Sequence, residues 1–116
     1  MNIQKYNDTA SNSGEKIVVH IDADIEELIP GFFQNRREDI KSILTALDNG
    51  DYETIRILGH SMRGTGGGYG FAAITDIGHS IEQAAKNRNP LEINKKINEL
   101  SSYLERVEVV FEVTGQ

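Results

Sequence analysis

The feature that most constrains this chain is a helical periodicity that begins at Asp24 and is cut repeatedly by turn chemistry. Apolar residues recur every three or four positions, the spacing that lines one face of an α-helix. Asp24 and Glu27 have the spacing of a capping box, and Pro30-Gly31 keeps the helix they open short. A second helix is expected from Pro30 to Leu47, with Phe33, Ile40, Ile43, Leu44 and Leu47 on its apolar stripe and Asn49-Gly50 at its end. Asp51 caps a third, which carries Ile55, Leu58, Met62 and Tyr69 and ends near Gly70 in a glycine cluster. Phe71, Ile74, Ile77, Ile81 and Ala85 define a fourth, stopped by Asn87 to Asn89. Pro90 opens a fifth, running through Ile93, Ile97, Leu100, Leu104, Val107 and Phe111. Short connections make successive helices antiparallel neighbours. The expected fold is therefore all-α: an antiparallel up-down-up-down four-helix bundle preceded by a short extra N-terminal helix.

Residues 1–20 read as a polar N-terminal arm and 21–116 as the bundle domain, because NDTASNSG is linker rather than core chemistry. The run Ile17 to Ile21 has strand-like composition. With no second β-like run to pair with, it is expected to lie as an extended segment on the bundle. A chain of 116 residues suits one core, and 38% hydrophobic residues are enough to fill it. The net charge of -6 disfavours nucleic acid or anionic lipid as a partner. The absence of cysteine excludes disulfides and thiolate chemistry. No apolar run approaches the roughly 18 residues that a spanning helix requires, and MNIQKYND is not the start of a signal peptide. A cytoplasmic, monomeric protein without a membrane partner is the expectation.

His60 heads the residues able to carry chemistry. At roughly 100° per residue, Ile55, Leu58, Met62 and Tyr69 gather on one side of their helix and His60 falls opposite them. Arg63 and Gly64 share its face, and Gly67 and Gly68 extend that face by a turn. Each glycine inside a helix costs about 1 kcal/mol relative to alanine, so the cluster requires a compensating reason. It marks either a plain helix end or a surface left bare so that a backbone or a phosphate can approach the imidazole. A nucleotide-binding P-loop is excluded, because GxxxxGK[ST] is not matched and no strand precedes the cluster. Arg56, one turn before His60, either raises the local potential or forms a surface ion pair, the pair being expected. His79 and His20 have no motif around them. Arg36-Arg37 and Lys95-Lys96 are expected on solvated faces, and Tyr69 and Phe71 in the core at the helix turn.

The stretch from His60 to Phe71 resembles the signature of histidine phosphotransfer (HPt) domains: a histidine, a basic residue at plus three, glycine at plus four and glycine at plus ten. Ile81-Glu82 with Ala84-Ala85 is similar to that family's hydrophobic-acidic pair on the following helix. The resemblance runs from about Asp24 to Phe111. It departs at Arg63, where lysine is commoner, and in the extra glycines at 66 to 68. The resemblance implies a stoichiometric phosphoryl carrier without kinase activity of its own, with His60 as the phosphorylated nucleophile and Arg63 stabilising phosphoryl charge from the exposed side. Glu82 would orient the imidazole from the bundle side. Residues 60 and 82 are symmetric about residue 71, so a helical hairpin brings them to similar heights. Gly64, Gly67, Gly68, Arg56 and Ile57 would meet the partner, a response-regulator receiver domain or a hybrid histidine kinase. No cofactor of its own is implied, and the divalent metal ion would sit on the receiver.

Two other function classes remain. One is a non-phosphorylated HPt-like interaction module. The other is a metal-binding bundle using His60, His79 and Glu82, although His79-Ser-Ile-Glu82 reverses the Glu-x-x-His order of di-iron bundles.

Overall fold

Several helix boundaries have a local chemical cause. The computed structural model describes residues 14–113. They form strand β1 (Ile17–Asp22), a 3-10 helix (Ala23–Leu28), helices α1 (Ile29–Asp48), α2 (Tyr52–Tyr69), α3 (Ala72–Lys86) and α4 (Pro90–Arg106), and strand β2 (Val107–Glu112). The Asp51 carboxylate accepts from the Thr54 amide (3.1 Å) and hydroxyl (2.6 Å), which satisfies an orphan donor at the start of α2. Asn89 caps α4 through the Glu92 amide, with Pro90 in the first turn, where its missing N–H is harmless. Gly70 closes α2 at φ 89°, a left-handed conformation that only glycine adopts without strain.

The N-terminal segment differs from expectation in two ways. The short extra helix is 3-10 rather than α, and its cap is Asp22, which accepts from the Asp24 amide at 2.9 Å, rather than Asp24 itself. Pro30 stands inside the first turn of α1 instead of breaking a preceding helix. The buried stripe of α1 extends beyond the expected one, of which Ile43 is buried and Phe33, Ile40 and Leu47 pack half-buried against the core. Ile29, Phe32, Arg36, Ile43 and Ala46 face inward, while Leu44 is exposed.

The largest correction lies at the ends of the chain. The fifth helix was expected to continue through Val107 and Phe111, but α4 stops at Arg106 and Val107–Glu112 is a strand. It pairs in parallel with β1, from Ile17 opposite Val107 to Asp22 opposite Glu112. Val107 and Phe111 fit a helical spacing, yet Val107, Val109 and Phe111 equally fit a period of two and are the half-buried members of the strand. β-branched valines favour the second solution once β1 supplies a partner. All four helices form the crossover of this parallel pair. The boundary drawn at residue 20 falls inside β1, so residues 17–20 belong to the folded unit; residues 1–13 of the arm lie outside the described region.

Ile43, Ile55, Met62, Phe71, Ile74, Ile81, Ile93 and Leu100 fill the core completely buried. At the α2–α3 turn, Phe32 stacks on Tyr69 (4.5 Å between centroids) and on Phe71 (5.2 Å). Arg36, expected on a solvated face, is buried there instead. Its guanidinium lies 4.9 Å from the Phe32 ring centroid and donates to Asp39 (2.8 Å) and to the Thr65 hydroxyl (3.1 Å). Ring, carboxylate and hydroxyl there replace part of the water that the guanidinium gives up on burial. Burial pushes the Asp39 carboxyl above its ordinary value despite the opposing pull of Arg36. Among the described residues no helix is long and apolar enough to cross a membrane.

Candidate functional site

α2 owes its inward stripe to Ile55, Gly59, Met62 and Gly66, spaced by fours and threes. Gly59 and Gly66 act there by having no side chain. A Cβ on Gly66 would lie 2.8 Å from the Thr75 amide nitrogen, and one on Gly59 would lie 2.7 Å from that of Glu82. As the α2 number rises from 59 to 66, the α3 number falls from 82 to 75, so these two helices run antiparallel at main-chain contact. Opposite the stripe stands His60, with 67% of its side chain exposed.

The hairpin brings Glu82 to it. Glu82 is buried, only 6% of its side chain being accessible, and its Oε2 lies 3.1 Å from His60 Nδ1. Burial opposes ionisation of this carboxyl. The His60 hydrogen bond, followed by the charges of His60, Lys86 and Arg63, outweighs burial and holds it below the ordinary glutamate value. An ionised carboxylate only accepts hydrogen bonds, so this contact requires the proton on Nδ1. In the neutral ring the lone pair then belongs to Nε2, the nitrogen that does not face Glu82.

Arg63 departs from its expected place. Its Nη1 lies 3.5 Å from the other oxygen of Glu82, so Arg63 and Glu82 do not stand on separate sides of the imidazole. The contact is at the limit of a hydrogen bond, and about half of the Arg63 side chain is exposed. A long side chain held so loosely is free to swing toward an incoming anion.

Of the expected partner surface, Gly64 and Gly68 have no atom of the described residues within 4 Å of a Cβ built on either. Gly67 is nearer to α3: its Cβ would stand 3.5 Å from Thr75 Oγ1, an ordinary contact. Ile57 is exposed, at 52%. Arg56 is engaged by both oxygens of Glu53, at 2.6 and 3.0 Å, as expected of a surface ion pair. His79 is exposed on α3, and His20 meets Glu112 across the two strands at 2.7 Å. Among the described residues no three His, Cys, Asp or Glu side chains gather to hold a metal ion, which leaves the set His60, His79 and Glu82 unassembled.

Sequence reasoning counted Gly66 only as part of the glycine cluster and missed Gly59 and Gly78, the other two buried ones. Gly59 and Gly66 continue the stripe of Ile55 and Met62, and Gly78 lies one turn before Glu82. That spacing was the available signal. An apolar-stripe search passes over glycine because it contributes no hydrophobic surface.

No curated protein and no solved structure matches the chain significantly. A family model described as the Hpt domain matches residues 27–109, from the 3-10 helix to the middle of β2 and across the whole His60–Glu82 site. That match spans most of the chain, which therefore belongs to the Hpt domain family.

Proposed function

We propose that this protein is a phosphoryl carrier of a two-component phosphorelay, exchanging a phosphoryl group between His60 and the aspartate of a receiver domain. Histidine phosphotransfer in phosphorelays is the general role of Hpt domains, which are carriers rather than autonomous catalysts and which work with receiver domains and histidine kinases. The finer assignment rests above all on one observation, an exposed imidazole whose Nδ1 lies 3.1 Å from a buried carboxyl oxygen of Glu82. The short connections Asn49–Asp51, Gly70–Phe71 and Asn87–Asn89 support an up-down-up-down course for the four helices behind that surface.

In this reading the Nε2 lone pair attacks phosphorus in line, an N–P bond forms, and the bond from phosphorus to the receiver aspartate breaks and leaves its carboxylate. The Nδ1 proton stays between the ring and Glu82 throughout. Arg63 turns from Glu82 toward the phosphoryl oxygens and offsets part of their charge. A divalent metal ion on the receiver would neutralise more of that charge. Gly64 and Gly68 leave the helix surface low enough for the receiver to bring its aspartate within reach. A cytoplasmic setting, where phosphorylated receivers are produced, fits this role.

The test is incubation with a panel of phosphorylated receivers. Wild-type protein should take up acid-labile phosphate, and His60→Gln, equally folded, should take up none. Label that persists on that variant, or that maps to His79, would overturn the assignment. Tight receiver binding without any transfer would favour an interaction module instead.

A further inference from the structure

The approach of Glu82 to His60 depends on two glycines that take no part in the chemistry. A Cβ on Gly59 would lie 2.7 Å from the Glu82 amide nitrogen and 2.9 Å from the Gly78 carbonyl oxygen. One on Gly78 would lie 2.6 Å from the Arg63 amide nitrogen and 2.8 Å from the Gly59 carbonyl oxygen. Every one of these neighbours is main chain, which cannot rotate aside, so a methyl group at either position requires α2 and α3 to part. The crossing therefore touches the backbone of two polar residues of the site, Glu82 and Arg63, and Gly59 immediately precedes the third, His60. Little reach is left over. At 3.1 Å the His60–Glu82 distance is already near the long end for a hydrogen bond, and a further ångström or so would break it.

We infer that Gly59 and Gly78 are positioning residues of the phosphotransfer site: they hold α2 and α3 at main-chain contact so that the Glu82 carboxylate spans the gap to Nδ1. This deepens the carrier reading and rests on it for its kinetic consequence. Its spectroscopic consequence is independent of that reading. Gly66 supplies the internal control. It makes an equally close contact with the Thr75 amide, 2.8 Å from a Cβ, about two turns along α2 from Gly59 and away from Glu82.

The experiment uses the full chain carrying Gly59→Ala, Gly78→Ala or Gly66→Ala, with nitrogen NMR of the His60 ring and uptake of phosphate from phosphoramidate, which releases ammonia as it phosphorylates an imidazole nitrogen. Gly59→Ala and Gly78→Ala should lose the Nδ1-protonated signature in favour of a tautomer mixture. Their uptake should slow about tenfold, as far as that of Glu82→Ala. Gly66→Ala should lose comparable thermal stability yet keep both the signature and the rate. Glu82→Asp shortens the carboxylate arm by one methylene without any main-chain clash, so it should reproduce the loss even if the glycine variants fail to fold. A folded Gly78→Ala with the wild-type tautomer, or Glu82→Asp with an unchanged tautomer, would overturn the inference. Altered tautomers in these variants, alongside a wild type that takes up no phosphate, would uphold the positioning role while sinking the carrier reading.

Discussion

Two faces of α2 carry glycine for opposite reasons. On the inward face Gly59 and Gly66 exist because α3 is there, and a single methyl group would enter its main chain. On the outward face Gly64 and Gly68 have no described residue near them, so no contact among the described residues accounts for the absence of a side chain. The inward glycines cost helix propensity and are compensated by close packing. The outward ones cost the same without a packing contact among the described residues, as the proposed receiver-docking surface would require.

Substitutions at the two faces should separate most widely when the new side chain is large. Gly66→Leu forces a branched side chain against the Thr75 main chain and should destabilise the fold by about 3 kcal/mol or more. That corresponds to a fall of roughly 12 °C or more in Tm for a domain of this size. Gly64→Leu should leave Tm unchanged or raised, with a ceiling of about 1 kcal/mol from helix propensity, while transfer from phosphorylated receivers is lost. Thermal melts paired with a transfer assay check both. Normal transfer in a well-folded Gly64→Leu would erase the contrast between the faces.

A smaller effect is expected at Arg63, which bridges them. Arg63→Ala should slow transfer by about tenfold, because one charge-assisted contact to the phosphoryl group disappears while His60 and Glu82 remain. Arg63→Lys should recover most of the rate, since the charge is restored without the planar fork. A rate unchanged in Arg63→Ala would confine the guanidinium to its weak contact with Glu82.

The smallest effect is on stability against pH. The Glu82 carboxyl is held below the 4.5 of a free glutamate, so the unfolded chain binds its proton more readily than the folded one. The stabilisation is therefore complete above that ordinary value and is lost as the pH falls through the lower folded value. Comparing Tm between pH 3 and 6 should show wild type gaining on Glu82→Gln as the pH rises. Parallel curves for the two proteins would mean that the carboxylate is not favoured by its surroundings.

Much of this molecule is written in local chemistry. The stripes of Ile74, Ile77 and Ile81 and of Ile93, Ile97 and Leu100, the caps at Asp51 and Asn89 and the left-handed Gly70 place three helix boundaries from neighbours in sequence alone. The exposed position of His60 follows from the same arithmetic, because a helix wheel needs no knowledge of what lies across from it. Some of what depends on a distant partner was misread, although the pairing of Glu82 with His60 was expected from the resemblance and the hairpin. Arg36 looks like surface charge until Thr65 and Phe32 surround it, and its burial is decided by residues on a different turn and a different helix.

By itself, then, the sequence determined the four α-helical segments, their ends except the last, and the side of α2 on which the imidazole stands, since hydrogen bonds and side-chain directions within a few residues govern all three. Tertiary structure alone decided that Val107–Glu112 is a strand, because its two possible periods tie until β1 offers backbone partners. It also decided that Glu82 touches His60. That distance is set by how closely two backbones approach, and the spacing of the glycines that permit the approach does not by itself fix how close that is.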